Sequence, residues 1–562
     1  MRHVLAFLLL MIVGQTSAQL AVDGRLAMWD QSTSTFLATV PDTCFNRQVT
    51  LTVVPDEQWS TCTVEGLTES NSLTIPNLTA ETKVAVCYED STGQAIEATL
   101  QFTFLPIIQL QGVFGYDYQE GNMLISSPDS FKTDTLAANI KWRGGTTNAA
   151  NKHKRNYAIK LANDTVLLGM RNDNSWILDA GQPDVFRLRN RMALDLWNDI
   201  AREPYHADQK QKARNGVSGK VVEVFLNDEY RGIYCLSEKI DRKQMKLKKV
   251  DEETGQIYGC LYKGVSWKST QMFDSLYNYD NHCDTFLGFE VKYPDLNDND
   301  TTDWMPLVEA TNFALGATNE EFEAHVGDYF DLPPMVDYSV FLSVVNGVDN
   351  SGKNMYWGIY DKTTDKRLTP AAWDLDATFG QRWGGTLVGE DEDDMSSPEY
   401  KQDVDINVFF RLYRDNACHF NDSLNHRYQQ LRQPGQPLST DSLLNRLTAF
   451  YHLIKDSGAA RRETNKWSGD SDIKGETIDF DAEYKYIYNW ITAHTAFIDE
   501  CGLPIYYTKE AFDYWNGIAS HSLQPSANSQ QHVYTMSGQC INDLKWLPSG
   551  IYIKNGKKYI VK

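Results

Sequence analysis

Several things are missing from this sequence. None of its nine cysteines forms a C-x-x-C pair, which argues against a zinc ribbon or a thioredoxin-type redox motif. No G-x-G-x-x-G run is present, so no glycine-rich nucleotide loop announces itself. Basic charge is scarce: 53 Lys and Arg stand against 75 Asp and Glu, a net −22 over 562 residues. Such a chain repels nucleic acid and anionic lipid as a whole. Nucleic acid is therefore not expected as a partner, and any phosphate ligand has to be held by locally placed cations or a bound metal. After the first twenty residues no apolar run reaches the length of about 18 residues that a membrane helix needs, so no transmembrane segment is expected.

What is present is the composition expected of a folded soluble protein, with 42% hydrophobic and 23% charged residues. The length exceeds what one compact core holds and predicts two or three domains. Residues 1–18, "MRHVLAFLLLMIVGQTSA", have a basic start, a short apolar run and a small-residue end, the pattern of a secretory signal peptide. In an exported chain Cys44, Cys62 and Cys87 are the set expected to supply a disulfide, and the odd total leaves at least one thiol unpaired.

Residues 19–104 carry short alternating runs, "QVTLTVV", "SLTIPNL", "KVAVCYE" and "ATLQFTF", separated by polar turns, which predicts an Ig-like β-sandwich. From Leu105 to about residue 508, strand patterns such as "NIKWRGG", "NYAIKLA", "VVEVFLN" and "GIYCLSE" mix with helical ones, an α+β domain. Helices are expected over "DVFRLRNRMALDLWNDIARE" with Asp184 as cap, and over "DLPPMVDYSVFLSVVNG" with Asp331 as cap, prolines in the first turn and Gly347 as stop. "SLLNRLTAFYHLIK" and "AEYKYIYNWITAHTAFI" carry helix-period stripes. "GEDEDDMSS", 389–397, reads as a solvated loop. Residues 509–531 form a polar linker, and 532–562 a short β-module.

Chemistry concentrates in "NGVDNSGKNMYWGIYDKTTDKRLTPAAWDLDATFG". Asp349 and Asn354 have the D-x-x-x-x-N spacing of a kinase catalytic loop, in which the Asp accepts a hydroxyl proton and the Asn holds a metal. A hairpin then leads to Asp374 and Asp376. Read as strand residues, the two project to one face, two negative charges that call for a cation between them. Hard-oxygen ligands of this kind suit Mg2+. A pair this close serves a metal better than glycoside hydrolysis, whose carboxyls stand about 5 Å or more apart. Lys160 in "NYAIKLA" follows the A-I-K of a kinase lysine strand, and Gly144 and Gly145, with Arg143, Lys154 and Arg155 nearby, mark a turn able to hold phosphate on backbone N–H groups.

In the order "WRGGTT", "KRNYAIKL", "WILDA" with "RLRNRMALDLW", "NDEYRGIYCLSEKIDR", "VNGVDNSGKNMYWGIY" and "WDLDATFG", the chain resembles the CotH (spore-coat protein H) family of atypical, secreted protein kinases. The resemblance implies a bilobal kinase-like fold over 105–508, ATP with Mg2+ or Mn2+ (Ca2+ as another candidate), and phosphorylation of Ser in proteins. It assigns Asp349 as base and the Asp374/Asp376 pair as metal ligands, with either of the two open to the direct metal bond; the residue pattern itself adds Asn354 as a metal ligand and Lys160, Arg143, Lys154 and Glu238 as nucleotide-binding residues. The acid that pairs with Lys160 is open among Asp195, Glu223 and Glu238. The tail "VY…SGQ…GIYI…GKK…VK" resembles a type IX secretion sorting domain and implies that machinery as a partner and an exported, surface or extracellular location. A second reading keeps the kinase-like domain as a non-catalytic, pseudokinase-like binding or adhesion module.

Overall fold

The computed structural model describes residues 19–55, 62–89, 93–266, 279–297, 299–347, 349–350, 352–382, 384–387 and 407–504, together with the backbone of four strands between 533 and 561. The expected signal peptide, the acidic run 389–397 and the linker lie outside these residues.

Eight strands build the N-terminal unit: β1 (Leu20–Val22), β2 (Arg25–Asp30), β3 (Thr35–Thr39), β4 (Val49–Pro55), β5 (Thr63–Val64), β6 (Ser72–Ile75), β7 (Val84–Glu89) and β8 (Ala95–Thr103), in the order β5-β7-β8-β3-β2-β1-β4-β6. Alternation drives them. Leu51 and Val53 of β4 point inward between outward threonines, and Thr50 meets Thr74 across the sheet at 3.0 Å. Residues from both ends of the sheet, such as Leu73 and Val86, share one core, so the sheet wraps around it. The expected disulfide is absent. Cys44, Cys62 and Cys87 are free thiols, and Cys62 and Cys87 lie near enough for their charges to interact without being bonded.

Seven strands then close into a barrel: β9 (Ile107–Gln111), β10 (Gln119–Ser126), β11 (Thr133–Arg143), β12 (Asn156–Val166), β13 (Asn172–Asp179), β14 (Gly219–Leu226) and β15 (Glu229–Ser237), ordered β10-β11-β12-β13-β15-β14-β9. Ile140, Tyr157, Ile159, Trp176, Leu178 and Tyr234 fill its interior. By the two-residue period, Arg143, Asn156, Ile177, Asp179, Cys235 and Ser237 point outward. A small apolar cluster that includes Met28, Leu37, Ile107 and Phe225 seals the barrel to the N-terminal unit, and the fully buried Arg25 donates to the carbonyls of Pro128 and Ser130 there.

The remainder combines helices with an antiparallel sheet. The sheet strands are β16 (Cys260–Gly264), β17 (Thr285–Phe286), β18 (Phe289–Tyr293), β19 (Met355–Ile359) and β20 (Thr369–Ala372), ordered β17-β18-β16-β19-β20. The helices are α1 (Arg189–Ile200), α2 (Arg242–Met245), α3 (Met305–Gly316), α4 (Asn319–Tyr329), α5 (Leu332–Val345), α6 (Asn407–Asp415), α7 (Phe420–Arg432), α8 (Thr440–Asp456), α9 (Ala459–Trp467) and α10 (Phe480–Cys501). α5 is the axis of this part: eleven of its fourteen residues are buried, as expected for a helix apolar all round. Its buried Asp337 is bracketed by the guanidinium groups of Arg202 and Arg427. Asp331 precedes α5 as expected but does not cap it, because its carboxylate accepts from the Tyr205 N–H and the Thr369 hydroxyl instead. The C-terminal strands β21 (Val533–Thr535), β22 (Cys540–Ile541), β23 (Gly550–Lys554) and β24 (Lys557–Val561) form a separate antiparallel sheet. Among the described residues no helix is long and apolar enough to cross a membrane.

α9 is pinned to the barrel by a buried ion cluster. Glu463 accepts from Lys154 Nζ, from Arg187 Nε at 2.8 Å and from the backbone N–H of Ile233 at 2.7 Å. Removing one member of a buried pair leaves the others charged and unpaired, at a cost of about 3–5 kcal/mol. Glu463→Ala should therefore lower unfolding stability by that amount, read as a drop in the urea midpoint without a large change in its slope.

Candidate functional site

A narrow crevice of about 20 Å³ lies between the outer wall of the barrel and the rest of the domain, lined among others by Arg143, Asn156, Asp179, Asn190, Trp373 and Asp374. A larger open depression of about 1110 Å³, bordered by Glu309, Phe313, His325 and Arg367, contains none of the expected site residues. Of the expected site residues, Arg143 and Asp374 line the smaller one.

Two loops carry its acids. α5 ends at Asn346 in a left-handed conformation, and Asp349 follows in the next turn. Its carboxylate accepts from Lys353 Nζ at 2.6 Å and from Asn354 Nδ2 at 3.0 Å. The second loop differs from the sequence reading. β20 ends at Ala372, so Asp374 and Asp376 are loop residues and strand alternation does not orient them. Asp374 is exposed with φ near +58°, a left-handed backbone that Asp and Asn tolerate better than bulky residues. Trp373 and Leu375 on either side are buried and anchor the loop. Asn350 ties the two loops together, donating from Nδ2 to the Trp373 carbonyl at 2.6 Å, and the Phe379 N–H closes the second loop onto the Val345 carbonyl.

Electrostatics couple these acids even without a shared strand. Burial raises the Asp376 carboxyl well above the usual range, and the negative charges of Asp374, Asp179 and Asp349 add to it. Asp349 is likewise raised, mainly by burial, with its Lys353 bond opposing the shift. Asp179 is raised by burial and held down in part by hydrogen bonds from Asn190 and the Gly181 N–H. Among the described residues no side chain donates to the carboxylate of Asp374 or Asp376. These oxygens are therefore open to a cation, and Asn354, whose Nδ2 faces Asp349, keeps its Oδ1 available. No three of the four carboxylates bring their oxygens within 4.8 Å of one another; the His153, Asp470 and Asp472 group, elsewhere, does. The set fits a Mg2+-type ion held by one or two carboxylates and completed by phosphate and water.

The cations are placed differently from the sequence expectation. Arg143 reaches the crevice, its guanidinium 5.7 Å from the centre of the Trp373 ring, and donates no hydrogen bond to any described residue. Lys160 does not line the crevice. It is exposed on the barrel wall, paired in register with Asn139 and Ser175, and four residues along β12 from Asn156, about 13 Å at strand rise. None of the three acids considered for it bonds to it: Asp195 pairs with Arg191, Glu223 with Arg462, and Glu238 accepts from the backbone N–H groups of Arg171 and Ser218. Lys154 is buried, and its three ammonium donors are spent on the carbonyls of Arg231 and Ile233 and on Glu463; burial pushes its pKa down to about 7. Lys154 and Glu238 therefore act in this structure as internal braces.

Other residues arrive that sequence reasoning did not single out. Lys263 is the last but one residue of β16, after the fully buried Cys260, Leu261 and Tyr262; burial lowers its pKa while the nearby Asp374 charge raises it, and the Asn354 N–H bonds the adjacent Gly264 carbonyl. A lysine near the end of an apolar strand was the available signal. Asp179 closes the apolar "WIL" strand in the same way. Lys353, one residue before Asn354, holds Asp349.

The sequence profile described as CotH kinase protein matches residues 140–498, from the middle of β11 into α10. No curated protein matches the chain.

Because the Asp376 carboxyl is raised, the metal-free fold loses stability as pH rises through that value and the group becomes charged. Asp376→Asn should raise the metal-free melting temperature at pH 8 by about 1–4 °C, leave it unchanged at pH 4, and abolish the stabilisation that Mn2+ gives the wild type. Differential scanning calorimetry at the two pH values checks it.

Proposed function

The chain belongs to the CotH kinase family, and from that membership we propose that it is an exported atypical protein kinase that transfers the γ-phosphate of ATP to Ser hydroxyls of exported or surface proteins. The observation that carries the proposal is the electrostatic coupling of Asp349, Asp374 and Asp376, carried on two loops, beside a crevice lined by Asp374 and Arg143, with Lys263 close enough to feel the Asp374 charge. The signal-like start and the sorting-like tail support export through type IX machinery.

In this reading the substrate hydroxyl donates to Asp349, which takes the proton as the oxygen attacks the γ-phosphorus. The bond from that phosphorus to the β–γ bridging oxygen breaks, and ADP leaves. A raised carboxyl suits a base, since its proton affinity lies closer to working pH. Asn354, Asp374 and Asp376 would hold the Mg2+ or Mn2+ that neutralises phosphate charge when bound. Arg143 and Lys263 supply the fixed positive charge that Lys160 was expected to give. Lys353 keeps Asp349 oriented in the resting site.

Incubation of the purified chain with labelled ATP, Mn2+ and co-exported proteins tests the proposal. Asp349→Ala should reduce transfer by about 100-fold or more while nucleotide binding, measured by calorimetry, stays within about threefold. The acid limb of the wild-type rate should fall at a pH above the ordinary aspartate value near 4, because the base must lose its proton to act. Metal-dependent ATP binding without any phosphorylated product would favour the pseudokinase-like binding protein.

A further inference from the structure

Asn190 is the second residue of α1, and it is half-buried where its neighbours Leu188, Arg189, Arg191, Met192 and Ala193 are buried. Its side chain leaves the helix and joins two other elements. Nδ2 donates to Asp179 Oδ2 at 2.5 Å, at the end of barrel strand β13, and Oδ1 accepts from the Leu375 N–H at 2.9 Å. Leu375 is the residue between Asp374 and Asp376, so this amide holds the peptide link on which both carboxylates are mounted. The same link is strained on its other side by the left-handed Asp374, a conformation that costs about 1 kcal/mol or more and persists only when neighbours fix it. Asn350 grips the carbonyl preceding Asp374, and Asn190 grips the N–H following it.

The amide's orientation is set in turn by Asp179. A carboxylate accepts only, so it takes Nδ2 and turns Oδ1 toward Leu375. Asp179 is itself fixed by the Gly181 N–H at 3.1 Å. The chain Gly181–Asp179–Asn190–Leu375 thus runs from barrel to helix to loop with each donor and acceptor assigned.

We infer that Asn190 is a positioning residue for the metal-binding loop, and that Asp179 serves that loop by orienting Asn190 and not as a metal ligand. The inference rests on the reading of Asp374 and Asp376 as metal ligands. It makes α1 the element that couples the barrel to the metal loop through an amide. The acid sought on this helix from sequence, Asp195, is engaged with Arg191.

The test is Mn2+ titration of the full chain by electron paramagnetic resonance, with melting temperature followed in parallel. A wild type that takes up no Mn2+ removes the metal-site reading itself, before any variant is considered. Given uptake, Asn190→Asp places a carboxylate against Asp179 and loses the donor; Mn2+ affinity should fall about 10-fold or more, the range for a group that orients a ligand. The exchange Asn190→Asp with Asp179→Asn restores the bond with its direction reversed, since the carboxylate now on α1 accepts both from the amide now on β13 and from the Leu375 N–H. It should recover affinity to within about threefold of the wild type. Should Asn190→Asp fail to fold, Asn190→Ala, which removes the amide without adding charge, is expected to show the same weakening at a near-normal melting temperature. Wild-type affinity in Asn190→Ala overturns the inference. A folded exchange variant that stays as weak as Asn190→Asp also overturns it, because Asp179 would then act directly.

Discussion

The geometry of the crevice depends on one buried carboxylate. Glu463 is fully buried, and it gathers Lys154 from the β11–β12 connection, Arg187 from the segment entering α1 and the N–H of Ile233 in β15. Those three segments form the barrel wall, the approach to Asn190 and the strand carrying Cys235. The close approach also dictates a glycine. Gly232 has φ near +94°, and a Cβ there would collide with Glu463 Oε2. Any side chain at that position would push α9 off the barrel. A charged cluster without solvent has little tolerance for displacement, so the wall against which the acidic loops are set is held stiffly.

Against that stiff wall the site gathers like charges. Asp179, Asp349, Asp374 and Asp376 lie close enough for their charges to interact, in a chain that is already strongly acidic. Only part of this repulsion is met internally: Lys353 answers Asp349, Asn190 answers Asp179, and among the described residues no side chain donates to the carboxylates of Asp374 or Asp376. Arg143 and Lys263 stand close enough to feel Asp374 but are not bonded to it. An arrangement of this kind costs the fold stability, and carboxyls raised by burial and like charge cluster at functional sites.

Much of this was legible in the sequence. Period-two alternation marked the strands of both β regions, and the apolar run from Leu332 marked α5. The order Asp349, Asn354, Asp374 and Asp376 marked the two loops that meet. What failed did so for a common physical reason. Alternation says which residues share a face of a strand but not which stretch of that face a distant helix will cover. Lys160 and Asn156 share the outer wall of the barrel, yet α1 and the Trp373 loop cover only the Asn156 end. Lys154 and Glu238 carry the charge expected of ligand-binding residues, and their fate was decided by partners as remote as Glu463. Asp374 and Asp376 were assigned to a strand because alanine and tryptophan precede them, whereas the pairing of β20 with β19 stops at Ala372. Asn190 gave no sign, since an asparagine early in a helix is ordinary.

The barrel is shut by a parallel seam, β9 against β14, with Ile107 opposite Glu223 and Leu110 opposite Leu226. Every other neighbouring pair in it is antiparallel. The seam joins segments more than a hundred residues apart, and loop-closure entropy has to be met before it forms. A chain that emerges N-terminus first during synthesis would thus present β9 long before its mate. The N-terminal unit, whose cross-strand partners all lie within its own first hundred residues, needs no such wait. It would take shape early and offer Met28 and Leu37 as a ready apolar seat on which Ile107 and then Phe225 could settle. On this view the small leading unit is a scaffold that shelters an unfinished barrel edge until the last strand arrives.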